Sequence, residues 1–247
     1  MMRAQGSRRV KPRRRALVTG GGVRVGRAIA LALARAGLDV AIGYHRSTRE
    51  ARRTLRELRA CGARAVALRA DLADPPAARR LVARAAQALG GLDVLVNNAA
   101  VFYRTPFAET TPAQFDELMS VNLRGPFFCA QAAAARMGRR GGRIVNVGDA
   151  GAASAWPGYI PYTLSKAGIV VLTRSLAVAL RRRRIAVNCV APGAVLAPAG
   201  FSGRRWQALT RCGAGSAEDV AAAVVFFATC SEFITGQIQQ VDGGETG

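Results

Sequence analysis

Aromatic residues, acidic residues and lysine are all scarce in this chain. Aromatic side chains make up 6% of the 247 residues while half are hydrophobic, so alanine, valine and leucine have to fill the core. Small aliphatic side chains favour helices packed closely on a sheet. Basic residues number 36 against 15 acidic ones, and all of them except Lys11 and Lys166 are arginine. Length and composition together predict one large α/β domain with a strongly basic surface.

The sequence also lacks the segments that would direct it to a membrane or an oxidising compartment. Its longest apolar run, 220–230, is too short to span a bilayer. No apolar stretch follows the basic head, as a secretory signal would require. The five cysteines form no C-x-x-C pair, and their odd number argues against a disulfide framework. We therefore expect a soluble cytoplasmic protein that makes no membrane contact.

The formal charge of +21 raises the question of a polyanionic partner. No zinc-ligand spacing, basic zipper or aromatic-stacking motif accompanies the arginines, so nucleic acid is not expected as a partner. We interpret the arginines as solvated surface charge. The run 181–184 ends a predicted helix, where cations interact favourably with the helix dipole. Residues 1–14 are predicted to be a disordered basic tail, and residues 15–247 a single domain.

Strand-like apolar runs alternate with helical patterns along that domain. Continuously apolar strands are expected to be buried on both faces of a parallel sheet. Right-handed crossovers then give a doubly wound, Rossmann-type sheet of about seven strands with helices on both faces. The stretch 194–216 shows little pattern and is where a substrate lid would lie. Strands are predicted at 16–20, 38–44, 63–72, 92–99, 142–148, 185–193 and 237–244, and helices at 24–36, 48–60, 76–89, 112–137, 160–180 and 217–229.

A glycine-rich loop, TGGGVRVG at 19–26, separates the first strand from the first helix. Glycines in this context allow the backbone to approach a pyrophosphate at the N-terminus of the helix. His45, Arg46 and Ser47 follow the second strand, where NAD sites usually carry an acid. Because donors and positive charge suit a 2′-phosphate, the sequence predicts NADPH as the cofactor.

Tyr162 and Lys166 lie four residues apart at the start of a predicted helix, which places them on one face. A neighbouring ammonium group favours tyrosinate. We therefore expect Lys166 to lower the pKa of the Tyr162 phenol and to prepare it for proton transfer.

These features together resemble the short-chain dehydrogenase/reductase family over nearly all of 15–244. The resemblance rests on the glycine loop, "NNA" at 97–99, Asn122, the Y-x-x-x-K pair, "APG" at 191–193 and the closing "VDGG". It implies hydride transfer from a nicotinamide, with Tyr162 as proton donor, Lys166 binding the ribose and Asn122 holding a relay water. It also implies a dimer or tetramer through the helices at 112–137 and 160–180. The predicted cofactor contacts are Gly20, Arg24, Val25, His45, Arg46, Ser47, Asp71, Leu72, Asn98, Ala99, Tyr162, Lys166, Pro192 and Gly193.

Two residues differ from the usual family pattern and point to one subgroup of the family. Most family members carry a serine thirteen positions before the tyrosine, where this chain has Asp149. An ionised aspartate would repel a developing alkoxide but suits a basic ring nitrogen or an exocyclic amine. Arg24, in the first turn of a helix, opposes the helix dipole unless anionic or acceptor-rich groups approach it.

The pattern T-G-x-x-x-R-x-G, the aspartate and the aromatic at 102 resemble the pteridine reductases, in which that aromatic stacks on the pterin. The chain is therefore expected to reduce a pterin ring with NADPH. The predicted substrate contacts are Arg24, Phe102, Asp149 and Tyr162, and no metal is expected. Two alternatives stay open: an NADPH-dependent carbonyl reductase, for example of 3-oxoacyl thioesters, and a non-catalytic nucleic-acid-associated protein on a reductase fold.

Overall fold

Seven parallel strands form the centre of the molecule. The computed structural model describes residues 13–197, 201–210 and 213–245. The strands are β1 Arg15–Val18, β2 Asp39–Tyr44, β3 Ala65–Arg69, β4 Val94–Asn97, β5 Gly142–Val147, β6 Ile185–Pro192 and β7 Ile238–Val241. They pair in the order β3-β2-β1-β4-β5-β6-β7, with every neighbouring pair parallel. Strands β4 and β5 are buried along their whole length, which confirms the expected two-sided burial.

Helices cover both faces of the sheet, as predicted. Helices α1, α2 and α8 pack with one apolar cluster on one face, and α3, α5 and α6 pack with a second cluster on the other. The doubly wound architecture is therefore confirmed. The helices are α1 Arg24–Arg35, α2 Thr48–Ala60, α3 Pro75–Leu89, α4 Pro112–Met119, α5 Gly125–Arg136, α6 Ile160–Leu180, α7 Gly203–Leu209 and α8 Ala217–Thr229.

The helix predicted at 112–137 is not continuous. A π-helical turn over Ser120–Arg124 separates α4 from α5. Pro126, in the first turn of α5, has no backbone N–H to continue the α-helical ladder. Such turns widen a helix locally and commonly occur at functional sites. Here the turn carries Asn122, one of the predicted site residues.

The stretch 194–216 contains the short helix α7, which its composition did not predict. Residues 198–200 and 211–212 lie outside the described residues, as do residues 1–12 of the predicted basic tail and the last two residues. The division into a tail and a single domain therefore stays a prediction.

One helix is long and apolar enough to span a bilayer by length and composition alone, although the longest continuous apolar run of the sequence is not. The segment Ile160–Arg183, containing α6, reaches a mean hydropathy of 1.4. Core helices of globular proteins also meet this criterion, and α6 packs against β6 and carries the buried side chains of Tyr162 and Lys166. Its apolar character is spread over the helix, which is why the longest continuous run did not reveal it.

Candidate active site

A cleft of about 1340 Å³ opens at the carboxyl ends of the strands. The strand order reverses direction at β1, which is flanked by β2 and β4. In open parallel sheets this reversal leaves a crevice in which ligands bind. Every predicted site residue lines this cleft except Asn122, which lies behind it. The topology thus brings together residues that are more than a hundred positions apart in the chain.

The glycine loop forms one end of the cleft and permits a close backbone approach. Gly20 adopts a φ of +63°, in the left-handed region that favours glycine. A Cβ at Gly26 would lie 2.1 Å from the carbonyl oxygen of Gly20, so no side chain fits there. The loop leads directly into the N-terminus of α1, an arrangement that suits a pyrophosphate. The donor and shape requirements of a dinucleotide are therefore met at this end.

Arg24 has a left-handed backbone, with a φ of +51° that a non-glycine residue rarely adopts. Its exposed guanidinium donates to the carbonyl oxygens of Leu196 and Ala197, at 3.2 and 2.8 Å. It therefore joins the glycine loop to the segment after β6, while still lining the cleft. The sequence predicted contacts with cofactor and substrate, and contained no signal for this bond to the late loop.

The residues after β2 supply donors at the far end of the cleft. His45, Arg46 and Ser47 all line it, and the guanidinium of Arg46 is exposed. Ser47 precedes α2, yet its hydroxyl makes no capping bond and stays available. The Nε2 of His45 lies 3.9 Å from a carboxylate oxygen of Asp71, and Leu72 follows on the same wall. This group offers the positive charge and the hydroxyl donor that a 2′-phosphate requires.

Asn98 holds the glycine loop against the end of β4. Its side-chain amide donates to the carbonyl oxygens of Thr19 and Gly20, at 2.9 and 3.3 Å. The Thr19 hydroxyl accepts from the backbone N–H groups of Asn98 and Ala99, at 3.0 and 3.1 Å. The sequence analysis did not predict Thr19 as a site residue, and the structure adds it through these hydrogen bonds. Val25, Pro192 and Gly193 complete the predicted lining.

Tyr162 and Asp149, two of the predicted catalytic residues, meet in the cleft. Asp149 follows β5 and Tyr162 lies in the first turn of α6, so both elements point these side chains into one place. The Tyr162 hydroxyl donates to Oδ2 of Asp149 at 2.6 Å, while Oδ1 accepts from the N–H of Gly151 at 2.8 Å. The bond to Oδ1 thus fixes the orientation of the Asp149 carboxyl group, while Oδ2 accepts the hydrogen bond of the Tyr162 phenol.

The pKa of Tyr162 shifts in the opposite direction to the one expected from Lys166. Burial, followed by the negative charge of Asp149 and its hydrogen bond, raises the pKa of the phenol well above its ordinary value. Lys166 does not override these effects because its Nζ lies 5.9 Å from the ring centroid and donates to the carbonyl of Val147 at 2.9 Å. Burial lowers the pKa of Lys166 itself, against the opposing charge of Asp149.

Asn122 occupies a supporting position behind the cleft. Its amide donates to the carbonyl of Val101 at 2.9 Å and to the Ser165 hydroxyl at 3.2 Å, and its Oδ1 accepts from the N–H of Val101 at 2.8 Å. These bonds fix the segment after β4 relative to α6. The predicted role in holding a relay water stays a prediction.

Phe102, a predicted substrate contact, lines the cleft, and another aromatic ring covers one of its faces. Its ring stacks on Tyr159, with centroids 4.9 Å apart and planes 4° apart, and meets Tyr162 edge-on at 4.7 Å. Phe201 also lies near this ring, with centroids 6.3 Å apart and planes tilted by 46°. Tyr159 is a wall residue that sequence reasoning missed, because its contact depends on the turn before α6. Trp156 also packs edge-on against Tyr159, with ring centroids 5.9 Å apart.

Comparisons with known proteins agree with this geometry. A family model described as Enoyl-(Acyl carrier protein) reductase matches residues 22–246. The chain is 35% identical over 243 residues to the 3-oxoacyl-[acyl-carrier-protein] reductase FabG of Staphylococcus aureus, covering 95% of this chain and 99% of the relative.

Two solved structures resemble the whole fold. A short chain dehydrogenase from Burkholderia cenocepacia J2315 in complex with NADP superposes with a TM-score of 0.87 at 40% identity, covering 94% of this chain and 97% of that one. A blue fluorescent protein from a metagenomic library, in complex with NADPH, gives 0.88 at 37% identity, with coverages of 95% and 98%. Matches this extensive establish common descent as well as common fold. The chain belongs to the short-chain dehydrogenase/reductase family of oxidoreductases.

Proposed function

We propose that the protein is an NADPH-dependent reductase that transfers hydride to a ring C=N bond of a pterin-like heterocycle. The observation that carries this proposal is the hydrogen bond of 2.6 Å between Tyr162 and Asp149. A carboxylate at this place suits a substrate that presents basic nitrogen and amine donors. The oxygen of a ketone substrate would instead develop negative charge next to the negative charge of the carboxylate.

NADPH fits the observed donor set. The cradle at Gly26, which no Cβ could enter, accommodates a pyrophosphate, and His45, Arg46 and Ser47 suit the 2′-phosphate. Two structural relatives were solved in complex with NADP or NADPH. When bound, the cofactor supplies the hydride. Lys166, which is buried and lines the cleft, would hold the ribose.

The proton chemistry belongs to Tyr162 and Asp149. The raised pKa keeps the phenol protonated at neutral pH but also makes it a weaker acid, so proton transfer from Tyr162 needs a basic acceptor such as a ring nitrogen. In the absence of substrate, Oδ2 of Asp149 accepts the hydrogen bond of the Tyr162 hydroxyl. With a pterin in the cleft, that carboxylate can accept from the ring amine while Tyr162 donates a proton to the ring nitrogen. Phe102, which lines the cleft, would orient the substrate ring.

A direct comparison of substrates tests the proposal. We expect NADPH oxidation with dihydrobiopterin to exceed that with an acetoacetyl thioester, and Asp149→Ser to lose the pterin activity. Glu109→Ser, which removes an exposed carboxylate remote from Tyr162, is the matched control and should be neutral. Turnover of the thioester alone, or full pterin activity in Asp149→Ser, would refute the pterin assignment.

The second candidate is carbonyl reduction, favoured by the 35% identity to a 3-oxoacyl-[acyl-carrier-protein] reductase. It requires Asp149 to be protonated or turned away when substrate binds. Thioester reduction that Asp149→Ser increases would support this candidate, because serine can donate to a developing alkoxide.

We also infer that two copies associate through α5 and α6. The exposed apolar side chains Phe127, Leu164, Val171 and Val178 follow one another along these helices, with Val171 64% and Val178 70% exposed. Contiguous exposed apolar surface on a soluble domain marks an interaction site. Light scattering should show a dimer or a tetramer, and Leu164→Glu combined with Val171→Glu should give monomers. A monomeric parent chain would refute the inference.

A further inference from the structure

Seven exposed arginines gather at one corner of the molecule, which we call the arginine corner. Arg136, Arg139 and Arg140 lie at and after the end of α5, and Arg181–Arg184 follow α6. The two segments meet where the N–H of Gly142 donates to the carbonyl of Arg184 at 3.2 Å. Because they immediately precede β5 and β6, they lie at the amino ends of the strands. The cleft lies at the opposite, carboxyl ends.

Positive charge at this corner is poorly balanced. Neither 136–142 nor 181–184 contains an acidic residue. Within the part of the chain that the structure describes, one salt bridge reaches the corner, from Arg184 to Glu232. Arg183 donates to the carbonyl of Ala134 in the last turn of α5, so capping accounts for one of the seven. The remaining five, Arg136, Arg139, Arg140, Arg181 and Arg182, form a cationic surface of guanidinium groups, whose planar donors match phosphate oxygens.

An exposed aromatic ring stands next to these cations. Phe233 directly follows Glu232, the acid that binds Arg184, and is 94% exposed. Its backbone is held in a turn by a bond from its N–H to the Ser231 hydroxyl at 3.2 Å. A fully exposed phenylalanine on a fixed turn contributes nothing to the core. It does provide a face on which a planar ring can stack.

Contrary to the expectation from the sequence, we propose that the arginine corner and Phe233 together bind single-stranded nucleic acid, with phosphates on the guanidinium groups and a base on the ring. Cationic surfaces combined with stacking platforms are how proteins bind single strands without reading sequence. A duplex offers no unpaired base for the ring. A membrane-binding helix would need an extended apolar face, whereas this corner presents one ring among arginines. The site is distinct from the cleft and is additional to the reductase function.

Charge reversal at the corner tests the electrostatic part. We expect the triple variant Arg139→Glu, Arg140→Glu and Arg182→Glu to weaken binding of a fluorescent oligothymidylate at least about tenfold. The slope of its affinity against salt concentration should fall by about 0.7 for each phosphate that the variant no longer neutralises. The matched control reverses three exposed arginines of α2, Arg49, Arg52 and Arg56, and should keep binding within about threefold. Equal losses in the two triple variants would overturn the proposal, because net charge alone would then explain binding.

Removal of the ring tests the stacking part. Phe233→Ala should weaken oligothymidylate binding by roughly fivefold or more. The control Phe107→Ala removes a ring that is 82% exposed elsewhere and should leave binding unchanged. Equal affinities of Phe233→Ala and the parent would refute stacking, and circular dichroism would show that both variants fold.

Two further measurements distinguish other sources of the same binding. Saturating NADPH should not displace the oligonucleotide, and displacement would show that it lies in the cleft. Truncation of residues 1–12 should lower affinity while keeping the effect of Phe233→Ala. Complete loss on truncation, or preferential binding of the intact chain to anionic phospholipid vesicles, would overturn the proposal.

Discussion

Arg24 makes two opposing contributions to the free energy of unfolding, and replacing it with alanine and with glycine separates them. Its left-handed backbone, at a φ of +51°, costs a non-glycine residue about 1 kcal/mol or somewhat more. Its two hydrogen bonds to Leu196 and Ala197 are exposed and together contribute about 1 kcal/mol. The two effects nearly cancel in the parent protein, so both substitutions are needed to separate them.

The two variants differ in which contribution they remove. Arg24→Ala loses the hydrogen bonds and keeps the strained backbone, so its free energy of unfolding should fall by about 1 kcal/mol. Arg24→Gly loses the same bonds but relieves the strain, so its stability should stay close to that of the parent. For a chain of this size, the difference corresponds to about 2–4 °C in melting temperature, with glycine the higher.

Calorimetry and limited proteolysis together check this reasoning. Both variants release the loop after β6, so both should be cleaved faster than the parent within 194–216. Equal melting temperatures for Arg24→Ala and Arg24→Gly would refute the claim that the left-handed backbone at this position is strained. A loop protected from protease in both variants would show that the two carbonyl contacts do not restrain it.

Three further predictions address the cofactor, the proton donor and the buried thiols. Arg46→Asp should raise the KM for NADPH selectively over that for NADH, and equal efficiencies with both cofactors in the parent would contradict the 2′-phosphate assignment. Tyr162→Phe should lower kcat by about 10²–10⁴-fold. Because the pKa of Tyr162 is raised, parent kcat should not decline through loss of the phenol proton below about pH 10, the ordinary value for tyrosine. The raised pKa of Tyr162 also contributes to the free energy of unfolding. This contribution is fully present below about pH 10 and is lost as the pH rises through the pKa of the folded state. Tyr162→Phe should therefore flatten the decline in stability at alkaline pH. Burial raises the pKa of Cys129 to about 12 and that of Cys189 to about 11, so neither should react with a thiol reagent at pH 8 in the native state, and labelling of either would show an open core.

The fold could be predicted from local patterns because its strands are buried on both faces. Burial of that kind requires uninterrupted apolar runs, and these stand out between helical patterns in the sequence. Even the bounds of α2, α6 and α8 agree with their prediction. The π-helical turn at Ser120–Arg124 escaped prediction because it depends on contacts of Asn122 with distant segments and not on local propensity.

The candidate site was predictable as a set of residues but not as a set of contacts. Tyr162, Lys166 and the glycine loop follow spacings that one helix or one turn imposes. The pKa of Tyr162 was expected to fall, and it rises because burial and Asp149 act on the phenol more strongly than the more distant ammonium group does.

The sequence by itself determined the alternation of strands and helices, the glycine cradle and the placement of a carboxyl group where a serine is usual. Only the tertiary structure decided that Arg24 binds the loop after β6, that Tyr159 covers one face of Phe102, and that two arginine runs form one corner. Local order follows from the periodicity of neighbouring residues. Side-chain partners follow from which distant strands become neighbours in the sheet, and that is a property of the whole chain.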